Sequence, residues 1–101
     1  MNLDLKNINK AFENKVRLGI MSALMVNEEL DFSSLKSLLE LTDGNLASHT
    51  RSLEEMGYIQ SKKQFVGRKP NTTYAITPEG RVAFTDHLNA LESFLKKSMG
   101  K

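Results

Sequence analysis

Residues 42–80 read TDGNLASHTRSLEEMGYIQSKKQFVGRKPNTTYAITPEG, and this stretch decides the architecture. Its first part is helical in period. Leu46, Thr50 and Leu53 recur at i, i+4 and i+7 with Met56 beside them, so that face packs inward. Thr42 suits the N-cap, Asp43 sits at the positive end of the helix dipole, and Gly57 offers the left-handed residue that ends the helix. Gly44, Asn45, Ser48, Arg51 and Ser52 point the other way, with His49 at the boundary, and together with Asp43 they are the candidate groove-facing set. Small polar side chains let a helix approach base edges in a major groove, and Asn and Arg can make paired hydrogen bonds to adenine and guanine. Gly44 costs about 1 kcal/mol inside a helix, so its position near the N-terminus suggests close approach to a partner. Glu54 and Glu55 come only at the far end. The plainer alternative is a solvated helix face that uses Ser and Asn for solubility.

A basic hairpin follows at once. Residues 58–65, anchored by Tyr58, Ile59 and Phe65, predict one strand, and residues 72–77 the returning one. Between them VGRKPN, residues 66–71, has the Gly, Pro and Asn of a loop. Lys62, Lys63, Arg68 and Lys69 stand in this region, with no Asp or Glu between residues 60 and 78. Arg68 and Lys69 at the tip can enter a minor groove or clamp phosphates, with Lys62 and Lys63 behind them. A charged hairpin that merely resists edge-to-edge pairing is the alternative. The order is more telling than any residue: a polar-faced helix and then a basic hairpin is an arrangement that reads duplex DNA.

Upstream, residues 3–13 place Leu5, Ile8 and Phe12 at helical spacing. Asn14 caps a second helix to about residue 27, where Val16, Ile20, Ala23 and Leu24 form a stripe widened by Leu18, Met21 and Met25. A helix so broadly apolar is the domain's central one. Residues 30–32 form a brief strand, and Ser33 or Ser34 then caps a helix carrying Leu35, Leu38 and Leu39 and ending at Leu41. The step from that helix to the one after Thr42 has helix-turn-helix spacing. Downstream, Thr77 caps and Pro78 opens a last helix over residues 78–98, with Phe84, Leu88, Leu91 and Leu95 on one stripe. That stripe is long for so small a domain to cover. Leu5, Ile8, Phe12, Phe84, Leu88, Leu91 and Leu95 are therefore candidates for a homodimer seam; otherwise both terminal helices close over the protomer's own core.

With 101 residues and 40% hydrophobic content the chain fits one domain, residues 1–101. It has no cysteine, which excludes disulfides, thiolate metal sites and cysteine nucleophiles. His49 and His87 lack metal-ligand spacing, and there is no phosphate-binding glycine loop, nucleophile elbow or paired-carboxylate constellation. No enzyme, metal or cofactor is expected. His87 is expected to be exposed or at the dimer seam. The N-terminus lacks a signal-peptide pattern and no stretch has a membrane span's length, so a cytoplasmic protein is expected, with no membrane partner. A small-molecule effector in a pocket between the dimer helices and the wing domain remains open, with Met21, Met25 and Met56 as adaptable lining or simple core filling.

The stretch LTDGNLASHTRSLEEMGYIQSKKQFVGRKPNTTYAITPEGRVAF resembles the small winged-helix regulators related to the MarR, ArsR and PadR groups. Within these it is similar to a compact subgroup with the pattern LTxGNLxxHxxxLExxGYI followed by FxGxxPxTxYxxTxxGRxAF. Asn45, Leu46, His49, Leu53, Gly57, Tyr58, Gly67, Pro70, Tyr74, Thr77, Gly80 and Arg81 match, and the likeness runs upstream through NKVRLGIMSAL. Thr50 departs from it, standing where such proteins usually carry Leu. The resemblance implies a mainly α fold with a small β-hairpin wing, a winged helix-turn-helix with additional terminal helices. It also implies a homodimer that controls transcription at a palindromic operator. The rival is a winged helix that binds a protein in place of DNA, because fold alone does not set function.

Overall fold

The computed structural model describes residues 8–99. A 3-10 turn (Lys10–Phe12) leads into α1 (Lys15–Val26), β1 (Leu30–Asp31), α2 (Phe32–Leu39), α3 (Asp43–Glu55), β2 (Ile59–Val66), β3 (Lys69–Ile76) and α4 (Pro78–Ser98). The three strands form one antiparallel sheet in the order β1-β3-β2. Caps at each helix start come from short polar side chains. Asn14 accepts the Val16 and Arg17 amide hydrogens, Thr42 that of Asn45, and Thr77 that of Gly80. At α2 the cap is Asp31, two or three residues before the serines expected there; its Oδ1 accepts the Ser34 amide at 2.7 Å.

Helix α1 is central, as its broad apolar surface requires. Ile20, Met21 and Leu24 are fully buried and meet Leu35 of α2, Leu46 and Leu53 of α3, and Ile59 of β2 in one core. Thr50 belongs to α3's buried face, and its hydroxyl donates to the carbonyls of Leu46 and Ala47 at 2.9 and 3.1 Å. A threonine is tolerated in place of leucine there because its one polar atom is satisfied within its own helix. Met56, expected on the same face, is instead largely exposed at the helix's end.

The first helix expected from the sequence is mostly not tested. Residues 3–7, Leu5 among them, lie outside the described region, and residues 10–12 form a single 3-10 turn. Asn9 explains the turn: its side chain accepts the Ala11 amide, and Asn14 starts α1 two residues after Phe12. Phe12 is buried in the protomer, its ring 5.1 Å from Phe84, 5.4 Å from Tyr58 and 5.3 Å from His87. Phe12 and Phe84 are each 1% exposed, so these two seam candidates pack in the protomer's own core. Leu88, Leu91 and Leu95 remain exposed at 42%, 38% and 60%, and Ile8 is half-buried.

His87 corrects another expectation. It is 3% exposed, and its Nδ1 accepts the Asn9 backbone amide at 2.9 Å. Burial holds its pKa below the usual 6.5, partly offset by Glu13. The folded chain prefers the neutral ring, so the stability it contributes is complete above about pH 6.5 and is lost as pH falls through the lowered folded value. Protonating Nδ1 also removes the acceptor for Asn9. Urea unfolding should therefore show lower stability at about pH 5 than at about pH 7.5. The fall should shrink in His87→Gln; an equal fall in that variant would clear His87 of the effect.

One backbone junction fixes how the hairpin and α4 sit. The Tyr58 amide donates to the Leu53 carbonyl, the Thr77 amide to the Tyr58 carbonyl, and the Thr77 hydroxyl to the Gly57 carbonyl. Gly57 ends α3 at φ +82°, the left-handed conformation glycine adopts freely. Gly80 then passes directly over Tyr58, close enough that a Cβ would lie 2.0 Å from the Tyr58 carbonyl oxygen.

Candidate nucleic-acid interface

On α3, Asn45, Ser48 and Arg51 are all exposed, three residues apart and therefore on one side of the helix. Gly44 is exposed beside them, and a Cβ there would meet nothing within 4 Å. No packing within the protomer requires this glycine. Ser52 is half-buried at the edge of the surface. Asp43, an expected member of the set, is tied to Lys36 of α2 by an ion pair of 2.8 Å. Both partners are substantially exposed, so the pair adds little stability. Its larger effect is on charge, because Lys36 offsets the single carboxylate at the helix's leading end. Sequence spacing gave no signal for Lys36, since the turn between α2 and α3 brings the pair together.

His49 is half-buried, with Nδ1 3.5 Å from Nη1 of Arg17 on α1. Arg17 is held in turn by its Nε, which donates to the Ala11 carbonyl at 2.6 Å. Burial first, and the Arg17 charge second, lower the His49 pKa below its ordinary value. A neutral His49 turned toward α1 braces α3 from behind, a position at the rim of the polar face.

The hairpin is longer and tighter than its sequence suggested. β2 and β3 pair without a break from Ile59 and Ile76 to Val66 and Lys69, leaving only Gly67 and Arg68 as the turn. Gly67 at φ +66° supplies the sign that a type II′ hairpin turn needs at its first central position. Lys69, Pro70 and Asn71, expected in a loop, are thus strand residues. Pro70 is admissible because β1 covers only Thr73 and Tyr74, so β3 has a free edge at Pro70 on which its missing N–H costs nothing.

Strand alternation sorts the basic residues. Ser61, Lys63 and Phe65 share one face of β2, and Gln60, Lys62 and Gln64 the other. Ser61 Oγ donates to Glu54 Oε2 at 2.7 Å, which marks the first face as the one turned toward α3. There Arg51 and Glu54 of α3, with Lys63 and Thr72 of the hairpin, line a cleft of about 190 Å³. Lys62 lines a different cleft that includes Glu29, so the two adjacent lysines, expected to act together, are separated. Arg68 and Lys69 are exposed at the tip. Lys63 and the turn residue Arg68 therefore continue the surface that begins at Asn45, while Lys62 and Lys69, the latter paired with Val66, share the opposite face of the hairpin.

Met21 is in the core, Met25 is half-buried with its sulfur 3.7 Å from Nη1 of Arg81, and Met56 is exposed. The three methionines sit in different environments. Among the described residues no group of three His, Asp or Glu side chains is arranged to hold a metal ion, and no helix is long and apolar enough to cross a membrane.

Residues 16–95 match the model of a family described as a winged helix DNA-binding domain. An uncharacterized protein of Methanocaldococcus jannaschii is 40% identical over 79 residues, covering 78% of this chain and 86% of that one. Among solved structures, a transcriptional regulator homologue from Pyrococcus horikoshii superposes with a TM-score of 0.83 at 36% identity, covering 92% of this chain and 94% of its own. Bacillus subtilis PadR, solved in complex with operator DNA, shares the fold at a TM-score of 0.67 and 17% identity, with 74% of this chain and 48% of PadR covered. On the family match and the relatives at 36% and 40% identity, the chain belongs to the winged helix DNA-binding domain family.

Proposed function

We propose that the protein is a transcriptional regulator that binds duplex DNA sequence-specifically, as a homodimer on an inverted-repeat operator. One observation carries the reading. The exposed face of Asn45, Ser48 and Arg51 runs on past Glu54 to Lys63 and the tip at Arg68, with Lys69 on the tip's other face and no acidic residue between positions 60 and 78. In this mechanism α3 lies in the major groove, where Asn45 and Arg51 read bases and Gly44 and Ser48 permit close approach. Arg68 and Lys69 reach the neighbouring backbone and minor groove, supplying much of the affinity.

The dimer is supported by the exposed apolar stripe of Leu88, Leu91 and Leu95 on the second half of α4. Ile8, half-buried, is assigned to the same seam. Two-fold symmetry then presents two α3 helices about 34 Å apart, one turn of DNA.

Selection of bound sequences from a random duplex library at about 0.15 M salt, with sizing by light scattering, tests this. An enriched inverted repeat with half-sites one turn apart, bound by a dimer, is the expected result. Asn45→Ala and Arg51→Ala should each relax preference at particular base pairs, by about 1–3 kcal/mol, with little change on random DNA. Weak salt-sensitive binding without enrichment would sink the proposal and favour a protein partner.

A further inference from the structure

The wing carries a feature that phosphate clamping does not use. Phe65 is 73% exposed, although an aromatic ring is a large apolar surface to leave in water. It stands opposite Pro70 in the β2–β3 register. Counting back from the pair that closes the turn, Phe65 and Pro70 form a non-hydrogen-bonded pair, the type whose side chains lie closer together. Phe65 shares its face of β2 with Ser61 and Lys63, the face turned toward α3. Its charged neighbours in the hairpin are of one sign, Lys63 on the same face, Arg68 in the turn and Lys69 on the opposite face.

The geometry points to Phe65 and Pro70 as an apolar pad that packs against the deoxyribose edge of the minor groove when the tip of the wing enters it. This rests on the reading of the surface as a duplex-binding one. The length of the hairpin sets the depth. Phe65 lies two residues behind Gly67, roughly 7 Å at a strand rise of about 3.4 Å per residue. The minor groove is about 7.5 Å deep. With Arg68 at the groove floor, the ring therefore reaches the rim, where sugar C–H groups line the wall, and does not reach the base stack. Basic residues draw the wing to the backbone, and the pad adds a contact that releases no counterions.

Salt dependence separates the two contributions. Phe65→Ala should weaken binding to the selected duplex by about tenfold, the size expected for partial burial of a Phe side chain, with an unchanged slope of log affinity against log salt. Phe65→Leu should recover part of the loss. A 2-aminopurine at the contacted step should remain quenched in the complex. An unchanged affinity in Phe65→Ala, or a slope that falls as it does on losing a basic residue, would overturn the pad. A rise in 2-aminopurine fluorescence would replace it with a wedge between bases. Dissociation of the Phe65→Ala dimer in light scattering would move the ring to a contact between copies. If the wild-type chain binds no duplex, both the pad and the DNA reading fall; if it binds and Phe65→Ala binds equally well, only the pad falls.

Discussion

Gly80→Ala is expected to destabilise the protein by about 4 kcal/mol or more, a large share of the roughly 5–15 kcal/mol that holds a domain together. The added Cβ would lie 2.0 Å from the Tyr58 carbonyl oxygen, 2.8 Å from its carbon and 2.9 Å from its Cα. All three are backbone atoms, so no rotamer change relieves the clash. Nor can Tyr58 retreat easily. Its carbonyl accepts from Thr77 and its amide donates to Leu53, so moving it loosens both the end of α3 and the start of α4. Thermal unfolding followed by circular dichroism should show a fall in Tm of about 15 °C or more, or a chain that does not fold. Gly44→Ala is the control, with open space around its Cβ, and should raise stability by up to about 1 kcal/mol. A Gly80→Ala protein as stable as the parent would mean that α4 does not start where the structure puts it.

The double variant Arg68→Ala with Lys69→Ala carries the second large effect, on binding. Each cation brought onto a phosphate or into the groove displaces counterions and contributes about 0.9 to the slope of log affinity against log salt. Two cations per wing and two wings per duplex make four, so the slope should fall by about 3.6. At about 0.15 M salt that corresponds to roughly a thousandfold weaker binding, to cognate and random DNA alike. Both side chains are exposed, so folding should be untouched. Fluorescence anisotropy titrations over a range of salt read the slope directly. A fall of about 1.8 would count one wing per duplex and argue against the dimer, and an unchanged slope would remove the tip from the phosphate contacts.

What the sequence disclosed was what local chemistry controls. Thr42, Gly57 and Thr77 mark helix ends because capping and left-handed backbone need those residue types, and each sits where that chemistry placed it. The α3 stripe of Leu46, Thr50 and Leu53 was legible from its period, and all three are buried. The misreadings came where distant segments meet. His87 looked like a surface histidine because nothing near it in sequence reveals that Asn9 donates to its ring. Phe12 and Phe84 looked available for a partner because their contact with each other spans most of the chain. Lys62 and Lys63 looked like a pair because adjacency in sequence conceals that a strand sends neighbours to opposite sides. Gly67, Pro70 and Asn71 make residues 66–71 look like a six-residue loop, whereas the short β1 leaves that edge of β3 open to a proline.

The junction at Gly57, Tyr58, Thr77 and Gly80 has a mechanical consequence. Both legs of the hairpin leave from this one knot, and α4 begins in it. Only Thr77 stands between β3 and α4, so no loop separates the direction of the helix from that of the hairpin. Farther along, Phe84 and His87 fasten α4 to Phe12 and Asn9, and the base of the wing is thereby moored to the N-terminal turn as well as to α3.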